Sequence, residues 1–222
     1  MARTTTPRAA GRREQRRLQH QDLSRAQLLD AAEEVFGRKG FYETTLKEVA
    51  ELAEFSVGSV YSFFENKDDL FRQIFVRRGE EFMRGLRVAL STGDEAPLAQ
   101  LHRLVDYEIG FFREHASFAR LYLRSSSATM LSAERQIDAA MADNYHEAMR
   151  LQSGVFERGQ RAKVFRDGDP EVLARLFSGL MSAYQALDPA VVSDDPAAAT
   201  VERLPLADLH DVVERAFARS TR

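Results

Sequence analysis

Apolar residues recur along this chain at the three-and-four spacing of one helix face, and strand-type alternation of useful length is missing. The first stripe is Leu28, Leu29, Ala32, Val35 and Phe36. Ser24 and Gln27 stand where a capping box would open it. Gly37 and Gly40 close it, with Arg38 and Lys39 near the negative end of the helix dipole. A second capping box, Thr45-x-x-Glu48, opens a short helix that turns Leu46, Val49, Ala50 and Leu52 inward and ends at Ala53. Three residues later Ser56 caps a third helix, Val57 to Phe63. Asn66 then caps a long helix beginning at Lys67, with Leu70, Ile74 and Phe75 on one side. Two short helices separated by a three-residue turn and braced by a first helix predict a helix-turn-helix.

Beyond Asp94 the helices lengthen. The pattern predicts helices over 97–114 and 117–126, and a long one over 132–162 capped by Ser132. Asp169-Pro170 is an N-cap followed by a helix-starting proline, and that helix reaches Leu187. The stretch 188–204, with Pro189, Asp194, Asp195 and Pro196, reads as a loop, and Pro205 starts a last helix to Ala218. The fold class is therefore all-α: an N-terminal three-helix helix-turn-helix domain over 22–68 and a larger C-terminal helical domain over 69–222.

Charge divides the chain unevenly. The net charge is −3, yet residues 1–20 hold Arg3, Arg8, Arg12, Arg13, Arg16 and Arg17 against Glu14 alone, leaving −8 on the rest. Such a segment cannot form a core, so residues 1–21 read as a disordered basic arm suited to phosphates or a minor groove. A hydrophobic share of 44% and a charged share of 29% are ordinary for a soluble globular protein. No apolar run reaches 18 residues, so no membrane span is expected. Cysteine is absent, which removes disulfide and thiol chemistry and fits a cytoplasmic location.

The stretch Thr44 to Leu70, TTLKEVAELAEFSVGSVYSFFENKDDL, resembles the TetR family signature. That signature is a threonine cap, a short helix and tight turn, a Ser-x-Gly-Ser/Thr-hydrophobic-Tyr-x-x-Phe helix, and a Lys-Asp/Glu-x-Leu start. Ala31 to Phe41, AAEEVFGRKGF, is similar to the family's first helix and its glycine-phenylalanine exit. One position departs: Glu54 stands where the family's turn places glycine, so either the turn differs or Glu54 tolerates strain at positive φ.

The resemblance implies that the third helix enters the major groove of operator DNA. Ser56, Val57, Gly58 and Ser59 at its start are small enough for close approach. Serine hydroxyls, Ser62 included, suit several bases, and Val57 suits a thymine methyl. Tyr61 and Lys67 match the family's phosphate-binding tyrosine and lysine. Thr45 or Thr44 places a hydroxyl and a helix N-terminus at a phosphate. Phe63 faces sugar or a thymine methyl, or packs in the core. Residues 21–70 hold five cations against eleven carboxylates, so Arg12, Arg13, Arg16 and Arg17 of the arm are expected to supply much of the phosphate attraction. The third helix has no Arg, Asn or Gln for bidentate base contacts, so direct readout should be modest and DNA shape should contribute.

For the C-terminal domain the resemblance implies a small-molecule site and a homodimer. Large aromatic and flexible residues dominate its helices. With a few polar groups they suggest a pocket for a mostly hydrophobic effector with one polar or acidic end. The candidate lining is His102, Tyr107, Phe111, Tyr122, Arg124, Met141, Asn144, Tyr145, Phe177, Met181 and Tyr184. In 169–187, Leu173, Leu176, Phe177, Leu180, Met181, Tyr184 and Leu187 make a large apolar face, and Ser178, Gly179, Ser182, Ala183 and Ala186 a small-residue one. The last helix adds Leu209, Val212, Val213, Ala216 and Phe217. The small-residue face and this last set are the expected dimer interface.

No catalytic residue is assigned. The five histidines lack metal spacing, and neither a nucleophile elbow nor a phosphate-binding glycine loop occurs. No metal or cofactor is expected. The rival to a sensor is an architectural DNA-binding protein, which would not need a large aromatic-rich domain.

Overall fold

The structure is a computed structural model describing residues 7–91, 96–129, 139–193 and 205–219; for 7–12, 126–129, 139–141 and 190 it describes the backbone alone. The helices are α1 (Pro7–Lys39), α2 (Leu46–Leu52), α3 (Val57–Phe63), α4 (Lys67–Ala89), α5 (Pro97–Glu114), α6 (Ala116–Thr129), α7 (Ala139–Arg161), α8 (Pro170–Ala186), α9 (Pro189–Val192) and α10 (Leu206–Phe217). The chain divides into two units, Met1–Ile74 and Phe75–Arg222, where the sequence pattern placed the boundary at 68/69.

The core of the first unit follows the stripes. Leu28, Leu29, Ala32, Val35 and Phe36 of α1 are buried with Val49, Ala50, Val60, Phe64, Leu70 and Ile74. Phe36, Phe41 and Phe71 join in edge and stacked contacts between 5.0 and 5.9 Å. Gly40, at φ 82°, ends α1 and donates its N–H to the Phe36 carbonyl at 2.7 Å. Three expectations fail here. The basic segment is not a disordered arm from Pro7 onward, because α1 begins there, thirty-three residues long. Pro7 suits a first helical position, and the alanines, arginines and glutamines that follow are good helix formers, with an Arg17–Glu14 pair at 2.6 Å. Ser24 is accordingly no cap: it is buried inside α1 with its hydroxyl 3.5 Å from His20 Nδ1. Leu52 does not face inward either; it is 44% exposed, since α2 is too short to bury more than Val49 and Ala50 fully.

In the second unit one core joins α4, α5, α7, α8 and α10 through Met83, Leu86, Leu101, Leu104, Val105, Val155, Phe156, Phe165, Phe177, Met181, Val213 and Phe217. The α8 N-cap is as expected: Asp169 accepts the Glu171 N–H at 2.9 Å and Pro170 opens the helix. An isolated bridge ties Phe165 to Ala218. The stretch expected as a loop contains one helical turn, α9, where the Val191 and Val192 amides bond the Asp188 carbonyl. The helix expected from Ser132 is described from Ala139; Ser132 lies outside the described residues.

The faces of α8 are partitioned differently from the sequence reading. Leu173, Ala174, Phe177, Met181 and Tyr184 are buried, whereas Leu176 is 59% and Leu187 64% exposed. Leu176 therefore belongs with Gly179 and Ala183 on the outer face, and Leu187 follows as the C-cap. Leu209, Val213 and Phe217 of α10 are buried in their own subunit's core, which removes them from the interface set.

Candidate DNA-reading helix and effector domain

The turn before the reading helix is built from caps at both ends. Thr45 accepts the Glu48 amide at 3.3 Å, and Glu48 accepts the Thr45 amide at 3.0 Å, closing the capping box. A hydrogen bond from Lys39 and these cap bonds pull the Glu48 carboxyl down to about 2. At the C-terminus of α2 the Phe55 amide bonds the Ala50 carbonyl at 2.8 Å and the Glu54 amide bonds the Glu51 carbonyl at 3.2 Å. That pair of bonds is a Schellman closure, and it puts Glu54 at φ 60°. The turn keeps the geometry glycine would allow, and Glu54 carries the strain.

On α3 the Ser56 side chain caps by accepting the Ser59 amide at 3.0 Å, and the two hydroxyls share a bond at 2.8 Å. Val60 and the following Phe64 are buried and anchor the helix. This anchoring turns Ser56, Val57, Gly58, Tyr61 and Ser62 outward, with Tyr61 58% exposed and Ser59 and Phe63 half-buried. Ser62 spends its proton on the Ser59 carbonyl at 2.6 Å. Thr44 is corrected: it is 1% exposed, and its hydroxyl donates to the Gly40 carbonyl at 2.7 Å, so it holds the loop and cannot reach a phosphate. Lys67 is half-buried and donates to the Thr44 carbonyl at 2.9 Å and the Tyr42 carbonyl at 3.4 Å. Arg13, Arg16 and Arg17 are exposed along α1, and the Arg12 side chain lies outside the described residues. Sequence reasoning missed Tyr42, which is 84% exposed on the loop beside Thr45.

Residues 28–74 match the family model described as bacterial regulatory proteins, tetR family. Over those residues the chain carries a TetR-type helix-turn-helix domain. It is 43% identical over 68 residues to the HTH-type transcriptional regulator YfiR of Bacillus subtilis (strain 168), covering 31% of this chain and 33% of that one. The match thus spans about a third of that relative's length. A transcriptional regulator of Saccharomonospora viridis solved with choline superposes at TM-score 0.70 and 19% identity, covering 90% of this chain and 100% of that one. FadR of Bacillus subtilis, solved with stearoyl-CoA, superposes at 0.66 and 14%, covering 86% and 95%. At these identities the superpositions carry the fold alone. TetR family members are regulators, not enzymes.

The second unit holds an aromatic cluster. Phe82 meets Phe111 at 5.2 Å, Phe112 meets Tyr122 at 5.3 Å, and Phe75 meets Phe118 at 5.4 Å. Tyr107 packs on Phe82 and donates its hydroxyl to the Phe82 carbonyl at 2.6 Å, over Gly85, where a Cβ would overlap the ring. Arg84, Gly85, Val88, Ala89, Arg103, Asp106 and Tyr107 line a groove of about 610 Å³.

Of the expected pocket residues, Tyr107 alone lines this groove. Phe111 and Tyr122 sit in the aromatic cluster. Phe177 and Met181 fill the second unit's main core, Phe177 against Phe156 and Phe217. Tyr184 meets Arg113, which also pairs with Asp188 at 2.7 Å. His102 stacks on His210 at 4.6 Å and joins α5 to α10, with His210 2.8 Å from Asp106. Arg124 and Tyr145 are exposed, Asn144 packs on Gly79, and the Met141 side chain lies outside the described residues.

The polar centre that sequence reasoning passed over is Glu108. It is 4% exposed and accepts from Gln152 at 2.6 Å, while Gln152 accepts from Ser178 at 2.9 Å. Burial pushes the Glu108 carboxyl up to about 8. Ser178 thus faces its own subunit, and so leaves the interface set.

The outer faces of α8 and α10 carry Val172, Leu176, Leu187 and Val212 as large exposed apolar residues, with Gly179, Ala183, Ala186 and Ala216 exposed beside them and Ser182 half-buried. No helix of the described residues is long and apolar enough to cross a membrane.

Proposed function

We propose that this chain is a ligand-responsive repressor that holds a palindromic operator as a homodimer and is released by a small, mostly hydrophobic effector. The observation that carries it is the outward display of Ser56, Val57, Gly58, Tyr61 and Ser62 on a helix pinned from behind by Val60 and Phe64. A major groove admits such a helix, and small residues at its N-terminus let the backbone approach base edges. Thr45, Tyr61 and the α1 arginines supply the phosphate contacts; Lys67 chiefly braces the loop that positions Thr45.

Dimerisation fits the exposed Val172, Leu176 and Val212 flanked by Gly179, Ala183 and Ala216, since small residues let helices approach closely. Two solved relatives of this fold hold choline and stearoyl-CoA, which supports a small-molecule effector and leaves its class to this chain's own residues. The effector acts by binding one spacing of the paired heads better than the other, a coupling of about 1–3 kcal/mol. A regulator of this kind works in the cytoplasm, where the duplex is.

The test is titration of labelled DNA from upstream of the protein's own gene, with light scattering on the same sample. Specific, salt-dependent binding by a dimer, lost in Tyr61→Ala while the fold is kept, is expected. Binding no tighter than to scrambled DNA at low salt would sink the reading.

A further inference from the structure

Glu108 is enclosed between three helices and yet has no counter-charge. From α7 it receives the Gln152 amide at 2.6 Å, and Gln152 in turn receives the Ser178 hydroxyl of α8 at 2.9 Å. Among the described residues no Lys, Arg or His pairs with it. Removing an acid from water against neutral partners alone is unfavourable, and it is most often retained where the acid has something to bind. The apolar surroundings are aromatic: Phe112 lies one turn along α5 and packs on Tyr122 of α6, itself against Phe118. The Tyr122 hydroxyl is pushed up by burial and then by the charge of Glu108.

We propose that Glu108 reads the head group of the effector and selects a lipophile carrying a cationic or proton-donating nitrogen, with Phe112 and Tyr122 as the aromatic faces beside it. The inference rests on the effector reading above and deepens it. The nitrogen takes the place of the Gln152 amide on the carboxylate, and aromatic faces attract a cation further. An effector ending in a carboxylate is disfavoured, because its charge would enter an apolar region where Glu108 offers no cation to pair with it. Of the polar or acidic end expected from the sequence, this keeps the polar alternative and drops the acid.

Pairing has a proton signature. Glu108, raised to about 8, holds a proton at pH 7, and an ammonium that pairs with the carboxylate sends that proton to solvent. Gln152 of α7 bonds it, Ser178 of α8 bonds Gln152, and Tyr107 on its own helix and Tyr122 on α6 feel its charge. Both tyrosines are pushed up, so none of these groups releases a proton near neutrality.

The experiment uses the full chain and three sets of matched lipophiles: decyl, phenylbutyl and naphthylethyl, each with an ammonium, a hydroxyl or a carboxylate head. Thermal shift and calorimetry in buffers of different ionisation enthalpy read affinity and proton release. The ammonium member of at least one set binds at least about tenfold more tightly than its two twins and releases about one proton at pH 7. Glu108→Gln erases both the preference and the release. Equal binding across heads, a carboxylate preference, or a preference that survives Glu108→Gln overturns this inference and leaves the effector reading standing. No binding by any of the nine overturns both. The head-group comparison in the unaltered protein stands whether or not the variant folds.

Discussion

Lys67 donates its ammonium to the Thr44 carbonyl at 2.9 Å while lying 4.5 Å from the centre of the Phe41 ring. A side chain from the start of α4 thereby closes the loop between α1 and α2, and the loop presents Thr45. The family's phosphate-contacting position is in this chain first a brace. Lys67→Met should keep the stem against Phe41 and lose the bonds. The expected cost is about 1–2 kcal/mol in urea unfolding. A residue that only touched phosphate would leave the unfolding midpoint unchanged and lower the salt slope of DNA binding by about one.

Glu54 sits at φ 60°, in the left-handed region where a side chain is disfavoured relative to glycine. Glu54→Gly should relieve that strain, partly offset by the greater freedom of glycine in the unfolded chain. A net gain of about 0.5–1 kcal/mol is expected. The variant also removes one negative charge from the reading unit, so DNA affinity should rise. A lower unfolding midpoint would contradict the Schellman geometry at this turn.

The α1 extension carries the basic charge that the rest of the reading unit lacks. Deleting residues 1–20 should weaken operator binding and flatten its dependence on salt, because fewer counterions are released. The fold should persist, since the buried stripe of α1 begins at Ser24 and Leu28. An unchanged slope of log affinity against log salt would remove these arginines from the interface.

The carboxyl of Glu108 makes stability depend on pH with a definite sign. Below its ordinary value of 4.5 the acid is protonated in both states, and no difference arises. Between 4.5 and about 8 the folded protein holds a proton that the unfolded chain has released, so stability falls as pH rises, and it levels off above about 8. Glu108→Gln should remove this slope and be more stable than the parent at pH 8 by roughly a few kcal/mol. Unfolding curves from pH 5 to 9 check it; parallel profiles for the two proteins would exclude a raised carboxyl.

Leu176 is 59% exposed on α8. Leu176→Arg should yield a monomer by light scattering, with little change in monomer stability because most of the residue is exposed and it lies outside its subunit's core. Operator affinity should fall steeply, since in the proposed homodimer one reading head alone would engage half of the palindrome. A persistent dimer would move the interface off this face.

Local patterns determined much of this protein. The caps at Thr45, Ser56, Asn66 and Asp169, the bounds of α3 and α5, and the stripes of the first core all depend on neighbours three or four residues away, so they can be read in one dimension. The helix-turn-helix followed from their spacing, and so did the odd glutamate in its turn. Tertiary packing decided the rest. Thr44 and Thr45 are adjacent and chemically alike, yet one is sealed against Gly40 and the other is exposed at a helix start. On α8 and α10 two apolar faces compete for one interior, and only the position of neighbouring helices sets Leu173 inside and Leu176 outside, or Val213 inside and Val212 outside. Glu108 has no sequence signature as a buried acid, because its enclosure comes from Gln152 and Ser178, 44 and 70 residues away along the chain. Burial is a property of what surrounds a residue, and the surroundings are assembled from distant parts of the chain.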